Sequence, residues 1–317
     1  MSNKHQILII DEVHPVLLEL LSDFDVRYLP KIGLDELEKE LEWPGILVLR
    51  SKLRFTSEWI DKAPQLKLIG RLGSGMDNID EKHAASKGIK LINAPEGNRN
   101  AVAEQTIGML LSLLANINRS SMQVGDFIWD RKGNQGLELQ NLTVGIIGYG
   151  NVGSTLAKKL FGFGCRVLAY DKYKSAFGSD YVTECSLNEI KEKSDVISLH
   201  VPLNDSSFEM IDKTFIEEVG KPFFLLNLAR GSVVNISDII SGLESKRIRG
   251  AALDVLPNEK LDALSTKERE EFVYLSENEN VILTPHIGGL TIDSYKKLAE
   301  VLGEKIIFWA KNNPLIN

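Results

Sequence analysis

The chain has 317 residues but only two cysteines, Cys165 and Cys185. Two thiols exclude a disulfide framework and fall short of a cysteine zinc cluster, so a reducing, cytoplasmic setting is expected. Long apolar runs are also missing. The greasiest stretch, residues 106–117, is broken by Thr, Ser and Asn and reads as a buried helix, well below the ~18 unbroken apolar residues of a membrane span. Near the N-terminus only residues 7–10 run apolar before an acid, too short for the core of a signal peptide. Positive charge is in deficit as well: 37 Lys plus Arg stand against 44 Asp plus Glu, for a formal charge of −7. Neither a general nucleic-acid-binding surface nor a membrane partner is expected. There is no internal repeat and no low-complexity segment.

Hydrophobic residues make up 43% of the chain, enough for buried cores, and at ~150 residues per domain the length suggests two of them. Short β-branched runs at 7–10, 46–49, 66–69, 90–93, 144–147, 167–170, 196–199, 223–227, 251–253 and 281–283 alternate with amphipathic stretches such as 16–21, 34–41, 154–163 and 236–243. That alternation predicts parallel sheets covered by helices on both faces. It breaks over 101–118, where a helical pattern runs for nearly five turns, and over 119–141, a polar arm carrying Phe127 and Trp129. Residues 291–311 read as one long closing helix, and the acidic stretch 267–280 as a solvated helix and loop.

The strongest motif is a strand that runs directly into Gly148, Gly150 and Gly153, with a helical pattern starting at Asn151. In such a turn the first glycine permits the tight bend, the second lets a pyrophosphate approach the backbone, and the third allows close helix–sheet packing. The helix that follows points unpaired N–H groups at the phosphates. The next strand ends at Asp171, where a carboxylate accepts hydrogen bonds from an adenosine ribose and repels the added phosphate of NADP. The cofactor read from this pattern is NAD.

Three later strands end in polar residues. Arg230 follows 223–227, Asp254 and Glu259 follow 251–253, and His286 follows 281–283. In a parallel sheet these C-terminal ends converge on the dinucleotide crevice, which gathers Arg230, Glu259 and His286 at the nicotinamide end.

With these motifs in order, the chain resembles the D-isomer-specific 2-hydroxyacid dehydrogenases, in the branch that contains phosphoglycerate dehydrogenases. The resemblance is clearest over residues 49–289. It is carried by Arg50-Ser51-Lys52, Gly73-Ser74-Gly75, Asn93 to Asn98, Ala101-Val102-Ala103-Glu104, the glycine turn, His200-Val201-Pro202, Asn227 to Gly231, Asp254-Val255 and Pro285 to Gly289. Two positions depart from the family pattern: Ala101 stands where a serine is frequent, and Lys260 where a proline usually follows the glutamate.

The resemblance implies two doubly wound α/β domains: a Rossmann NAD-binding domain, residues 99–290, inserted in a flavodoxin-like substrate domain, residues 1–98 completed by 291–317. It implies His286 as acid/base, Glu259 as its carboxylate partner, and Arg230 as the clamp on the substrate carboxylate and carbonyl. The chemistry suits these side chains. Imidazole titrates nearest neutrality and can take and return a hydroxyl proton, a neighbouring carboxylate orients it, and a guanidinium binds a carboxylate bidentately. Cofactor contacts are implied for Thr106, Gly148, Gly150, Asn151, Val152, Gly153, Asp171, His200, Pro202, Leu228, Ala229, Arg230, Asp254, His286, Gly288 and Gly289. No metal is implied.

On the substrate side, the backbone N–H groups of Ser74 and Gly75 are suited to a carboxylate. Asn98 is a hinge residue, and Arg50 and Lys52 are the candidates for a substrate phosphate. The leading activity is NAD-dependent oxidation of D-3-phosphoglycerate to 3-phosphohydroxypyruvate, the opening step of serine biosynthesis. Glyoxylate/hydroxypyruvate reduction, D-lactate dehydrogenation and a non-catalytic, corepressor-like NAD sensor are the alternatives. The arm with Phe127 and Trp129 resembles the family's dimerisation elements and predicts a homodimer. Because the sequence ends at Asn317, serine feedback through an added C-terminal domain is not expected.

Overall fold

A computed structural model describes residues 4–314. It divides into two compact units, one running to Arg99 and resuming at Leu290, the other spanning Asn100–Gly289.

The first unit is built on five strands: β1 (Gln6–Ile9), β2 (Asp25–Tyr28), β3 (Ile46–Leu49), β4 (Leu68–Arg71) and β5 (Lys90–Asn93), in the order β2-β1-β3-β4-β5. Every ladder is parallel, and this order is that of flavodoxin-like sheets. Helices cover both faces, so the central strands are apolar on both. Leu8, Leu47 and Leu49 enter one core, while Ile7, Ile9, Ile46 and Val48 enter the other. The closing helix Ile292–Asn312 contributes Leu298, Ala299, Leu302 and Ile306 to the second of these cores. Each fully buried aliphatic side chain is worth about 1.5–3 kcal/mol relative to exposure.

The second unit carries seven parallel strands: β6 (Thr143–Ile147), β7 (Arg166–Tyr170), β8 (Thr183–Glu184), β9 (Val196–Leu199), β10 (Phe223–Asn227), β11 (Ile248–Leu253) and β12 (Val281–Leu283). Their order is β12-β11-β10-β9-β6-β7-β8. The strand order reverses between β6 and β9, and that switch point lies beside the glycine turn after β6. In open α/β sheets it is where a ligand is received.

Ten of these strands coincide, within a few residues, with the apolar runs of the sequence. The other two, β2 and β8, are edge strands. β2 (Asp-Val-Arg-Tyr) is mostly exposed, so its side chains carry no apolar run to read. The expected five-turn helix over 101–118 differs as well. Helix Pro95–Leu114 starts earlier and stops before Asn116, whose φ of 53° is left-handed, and a second helix covers Ile117–Gly125. Asparagine tolerates that conformation, and the freed carbonyl of Leu114 accepts the Leu137 N–H at 2.8 Å. The first part of the polar arm is therefore helical. None of the residues in Ile117–Gly125 is buried, and Phe127 is fully exposed and Trp129 79% exposed. Residues 267–280 form the expected helix, Thr266–Glu277, closed by a capping box between Ser265 and Glu268. No helix among the described residues is long and apolar enough to cross a membrane.

At the end of β9, the His200 imidazole lies 2.8 Å from the Ser198 hydroxyl, and burial pushes its pKa from 6.5 down to about 4. The unfolded chain therefore binds a proton that the folded one refuses between these two values, and stability falls as pH drops through that window. Urea unfolding at pH 7 and pH 5 should show this loss, with the His200 contribution on the order of 1–2 kcal/mol. His200→Gln should flatten the pH dependence by that amount.

Candidate active site

The turn after β6 gives each glycine a different physical duty. Gly148 has φ of +97°, and a Cβ there would sit 2.4 Å from the His200 carbonyl oxygen. A Cβ on Gly153 would meet the Gly148 carbonyl oxygen at 2.0 Å. At Gly150 a Cβ would meet nothing within 4 Å. Gly148 and Gly153 are thus required by the protein's own packing, whereas Gly150 faces open space. Gly150 is also the N-cap of helix Asn151–Leu160 and no side chain caps that helix, which leaves its first-turn N–H groups, at Asn151 and Val152, for a ligand. This cradle fits a dinucleotide pyrophosphate.

Asp171, just past β7, is fixed by its neighbours. It accepts the N–H of Tyr149 at 2.8 Å on one oxygen, and those of Tyr173 and Lys174 at 2.9 and 3.1 Å on the other. The carboxylate is therefore pinned beside the glycine turn with lone pairs left for ribose hydroxyls. The same turn is clamped through Tyr149, whose carbonyl accepts the Lys174 ammonium at 3.0 Å and whose ring stacks on Phe177 at 4.3 Å. Burial lifts the Tyr149 phenol to about 12, so it remains neutral.

His286 and Glu259 meet directly. Nδ1 of His286 lies 2.9 and 3.1 Å from the two Glu259 carboxylate oxygens. With Nδ1 donating to the carboxylate, Nε2 is the nitrogen left to exchange a proton. Both side chains are about half exposed, so the pair is open to a small molecule. The backbone of His286 is left-handed, with φ of 53°, and its N–H is shared between the carbonyls of Asp254 and Thr284; Asp254 makes most of the contacts that hold the loop. Asp254, 2% exposed, accepts the Thr284 hydroxyl at 2.6 Å, the Ile287 N–H at 2.9 Å and the Gly288 N–H at 2.8 Å. Its carbonyl accepts the His286 N–H at 2.8 Å.

Arg230 follows β10, and its loop is organised by Asn227, which is fully buried. The Asn227 side chain accepts the Ala229 N–H at 3.1 Å and donates to the Arg230 carbonyl at 2.9 Å, while Nη1 of Arg230 donates to the Ala229 carbonyl at 2.7 Å. A Cβ on Gly231 would lie 1.9 Å from the carbonyl carbon of Leu256. The loop bearing Arg230 thus touches, backbone to backbone, the segment that leads to Glu259. That segment is held in turn by Asn258, which donates to Glu268 at 3.2 Å and accepts the Lys260 N–H at 3.1 Å. At Lys260, where the family usually has proline, the extra N–H is satisfied by this Asx turn.

Not every expected contact is presented outward. The Thr106 hydroxyl is buried and donates to the Val102 carbonyl at 2.7 Å, so its proton is spent inside its own helix. Leu228 and Ala229 are buried too. Asn227 and Thr284, which hold the two active loops, were not singled out by the sequence reading. The usable signal was a polar residue inside or just after an apolar strand. Among the described residues, no group of His, Cys, Asp and Glu has metal-binding geometry.

In the first unit, the N–H groups of Ser74 and Gly75 make no hydrogen bond within the described chain, while the Ser74 carbonyl accepts the Asn93 side chain at 2.7 Å. The side-chain amide oxygen (Oδ1) of Asn98 is buried without a partner among the described residues. Arg50 and Lys52 part company. The Lys52 ammonium donates to the Pro30 carbonyl at 2.8 Å, whereas the Arg50 guanidinium lies over the Tyr295 ring.

Comparison with known proteins bears on this arrangement. Residues 107–288 match the profile of the D-isomer specific 2-hydroxyacid dehydrogenase, NAD binding domain. The chain is 33% identical over 309 residues to the D-3-phosphoglycerate dehydrogenase of Methanocaldococcus jannaschii, covering 95% of this chain and 56% of that protein. It is 34% identical over 274 residues to the hydroxypyruvate reductase of Thermotoga maritima, covering 86% of this chain and 87% of that one. The crystal structure of D-lactate dehydrogenase from Aquifex aeolicus, complexed with NAD and lactic acid, superposes with a TM-score of 0.83 at 28% identity, over 97% of this chain and 96% of that one. The chain thus spans a little over half of the phosphoglycerate dehydrogenase and most of the other two. A profile match over more than half its length, with relatives above 30% identity across nearly all of it, places the chain in the D-isomer specific 2-hydroxyacid dehydrogenase family.

Proposed function

We propose that the protein is an NAD-dependent dehydrogenase of a small D-2-hydroxy acid and that its substrate is D-3-phosphoglycerate. The observation that carries the chemistry is the His286–Glu259 pair, 2.9 Å apart, formed between the loops that follow β12 and β11. Nε2 of His286 takes the proton of the C2 hydroxyl as the C2–O bond becomes a carbonyl, and Glu259 balances the charge that appears on the imidazole. Arg230 holds the substrate carboxylate and polarises the C–O bond. NAD, when bound on the Gly150 cradle, supplies the acceptor for the hydride that leaves C2.

The phosphorylated substrate is supported by Arg50, whose guanidinium meets no carboxylate or carbonyl among the described residues. Lys52, already bonded to Pro30, lends it less support. One observation favours hydroxypyruvate reduction as the second reading: the hydroxypyruvate reductase of T. maritima matches over 87% of its own length, the phosphoglycerate dehydrogenase over 56%. The exposed face of Ile117, Met122, Val124, Phe127 and Trp129 is assigned to a second copy of the chain, because isolated apolar patches of this kind are uncommon on monomers. Incubating the purified protein with NAD and 3-phosphoglycerate, glycerate or lactate tests the activity. NADH absorbance at 340 nm rises fastest with 3-phosphoglycerate if the reading is right, and a flat trace with every acid would refute it.

His286→Ala should lower kcat by roughly 10²–10⁴-fold, the usual worth of a general acid/base. NADH affinity, measured by fluorescence titration, should change by less than about threefold because the glycine cradle is untouched. Glu259→Gln should cost less, about tenfold in kcat, because the neutral amide still orients the ring but no longer balances its charge. A near-normal kcat for His286→Ala would defeat the assignment.

Asp171 sets the preference for NADH over NADPH. In Asp171→Ser the ratio of kcat/KM for the two cofactors should narrow by at least about tenfold, equivalent to ~1.4 kcal/mol. Equal use of both cofactors by the unaltered protein would contradict this.

A further inference from the structure

Three side chains from three separate segments of the first unit form a stack at the C-terminal edge of its sheet. Tyr295 sits in the first turn of helix Ile292–Asn312, where the Thr291–Ser294 capping box fixes the chain and the Tyr295 N–H donates to Thr291. The Arg50 guanidinium lies over its ring, 5.5 Å from the centroid. The His14 imidazole also meets the ring, edge-on, with centroids 5.8 Å apart and planes at 72°. His14 is itself held, because Nδ1 accepts the Val16 N–H at 3.2 Å as cap of the helix Pro15–Leu20.

The backbone of Arg50 is fixed by a different group. Its N–H donates to the Asp11 carboxylate at 2.6 Å, and its carbonyl accepts the Asn78 side chain at 3.1 Å. Asp11 and His14 belong to the loop after β1, and Arg50 to the loop after the neighbouring strand β3. Asp11 is thus engaged with the Arg50 main chain, and no acceptor among the described residues takes a hydrogen bond from the guanidinium. A cation stabilised by a ring face alone keeps its donor fork available for an anion.

We infer that Tyr295 is a positioning residue, which holds the Arg50 guanidinium in place for the anionic group at the distal end of the substrate. The inference rests on the reading of a phosphorylated substrate and adds the group that makes Arg50 effective. A long, flexible arginine loses rotamer entropy when it grips an anion. Resting it on an aromatic plane removes part of that cost before the substrate arrives. Burial raises the Tyr295 phenol above its usual range, so the ring stays neutral and adds no charge that would compete for Arg50.

The test compares KM and kcat for 3-phosphoglycerate and glycerate in Arg50→Ala, Tyr295→Phe, Tyr295→Leu and Tyr295→Gln. Arg50→Ala should raise KM for 3-phosphoglycerate by roughly ten- to hundredfold and that for glycerate far less. Tyr295→Leu and Tyr295→Gln should raise it about three- to tenfold with little change in kcat, and Tyr295→Phe, which keeps the ring, should restore it. Two independent replacements, both compatible with a helix, guard against a single misfolded variant. Equal effects on both acids would make Tyr295 structural and overturn the inference. So would unchanged KM values in Tyr295→Leu and Tyr295→Gln while Arg50→Ala still discriminates, which would leave the substrate reading standing. If Arg50→Ala does not discriminate, the substrate reading falls and the inference with it.

Discussion

The chemistry of the second unit depends on one buried carboxylate. Asp254 binds a hydroxyl and two backbone N–H groups of the loop after β12, while its own carbonyl binds a third N–H. Hydrogen bonds to an ionised group contribute about 1.5–3 kcal/mol each, and donors left unpaired in a buried site cost as much. That network is strong enough to hold His286 in a left-handed conformation, which costs a non-glycine residue roughly 1–3 kcal/mol. It aims the imidazole at Glu259. A Cβ on Gly288 would lie 2.9 Å from the Asp254 carboxylate, so even the glycine that follows is fixed by this one group.

The other two members of the site are coupled by contact between backbones. Gly231, next to Arg230, touches Leu256, which leads to Glu259. Asn227 and Asn258 hold the two loops from beneath. The second unit therefore carries His286, Glu259 and Arg230 on three strand ends, each loop with its own polar brace, buried at Asn227 and Asp254 and half-buried at Asn258. The first unit offers unpaired N–H groups at Ser74 and Gly75 and an arginine backed by an aromatic ring. Oxidation of a 2-hydroxy acid takes a hydride from C2 and a proton from the hydroxyl on it, and the His286–Glu259 pair suits the second of these.

Much of this was legible in the sequence because the cause was local. The glycine turn could be read residue by residue, since φ at Gly148 and close packing at Gly153 follow from the absence of a side chain. The central strands were legible because burial on both faces demands unbroken apolar runs. The edge strands β2 and β8 were not, since neither has a buried residue and so neither carries an apolar run. Nor was the break at Asn116, where a left-handed residue interrupts an otherwise continuous helical pattern. Strand-end positions were enough to propose His286, Glu259 and Arg230, and the structure brings the first two together. The bracing roles of Asn227 and Thr284 and the stack of His14, Tyr295 and Arg50 could not, because their partners lie far apart in the chain. Lys52 shows the converse: adjacent to Arg50 in sequence, it is bound to the Pro30 carbonyl.

We propose that Asp254 builds the geometry of the His286–Glu259 pair by holding the His286 loop. The most direct measurement is the turnover of Asp254→Asn, paired with its affinity for NADH. An amide keeps the size but offers one acceptor where the carboxylate offers two, so the Thr284 hydroxyl and the Ile287 and Gly288 N–H groups cannot all be satisfied. In Asp254→Asn, kcat should fall at least about a hundredfold, with NADH binding weakened less than about tenfold. Turnover near that of the unaltered protein would contradict it.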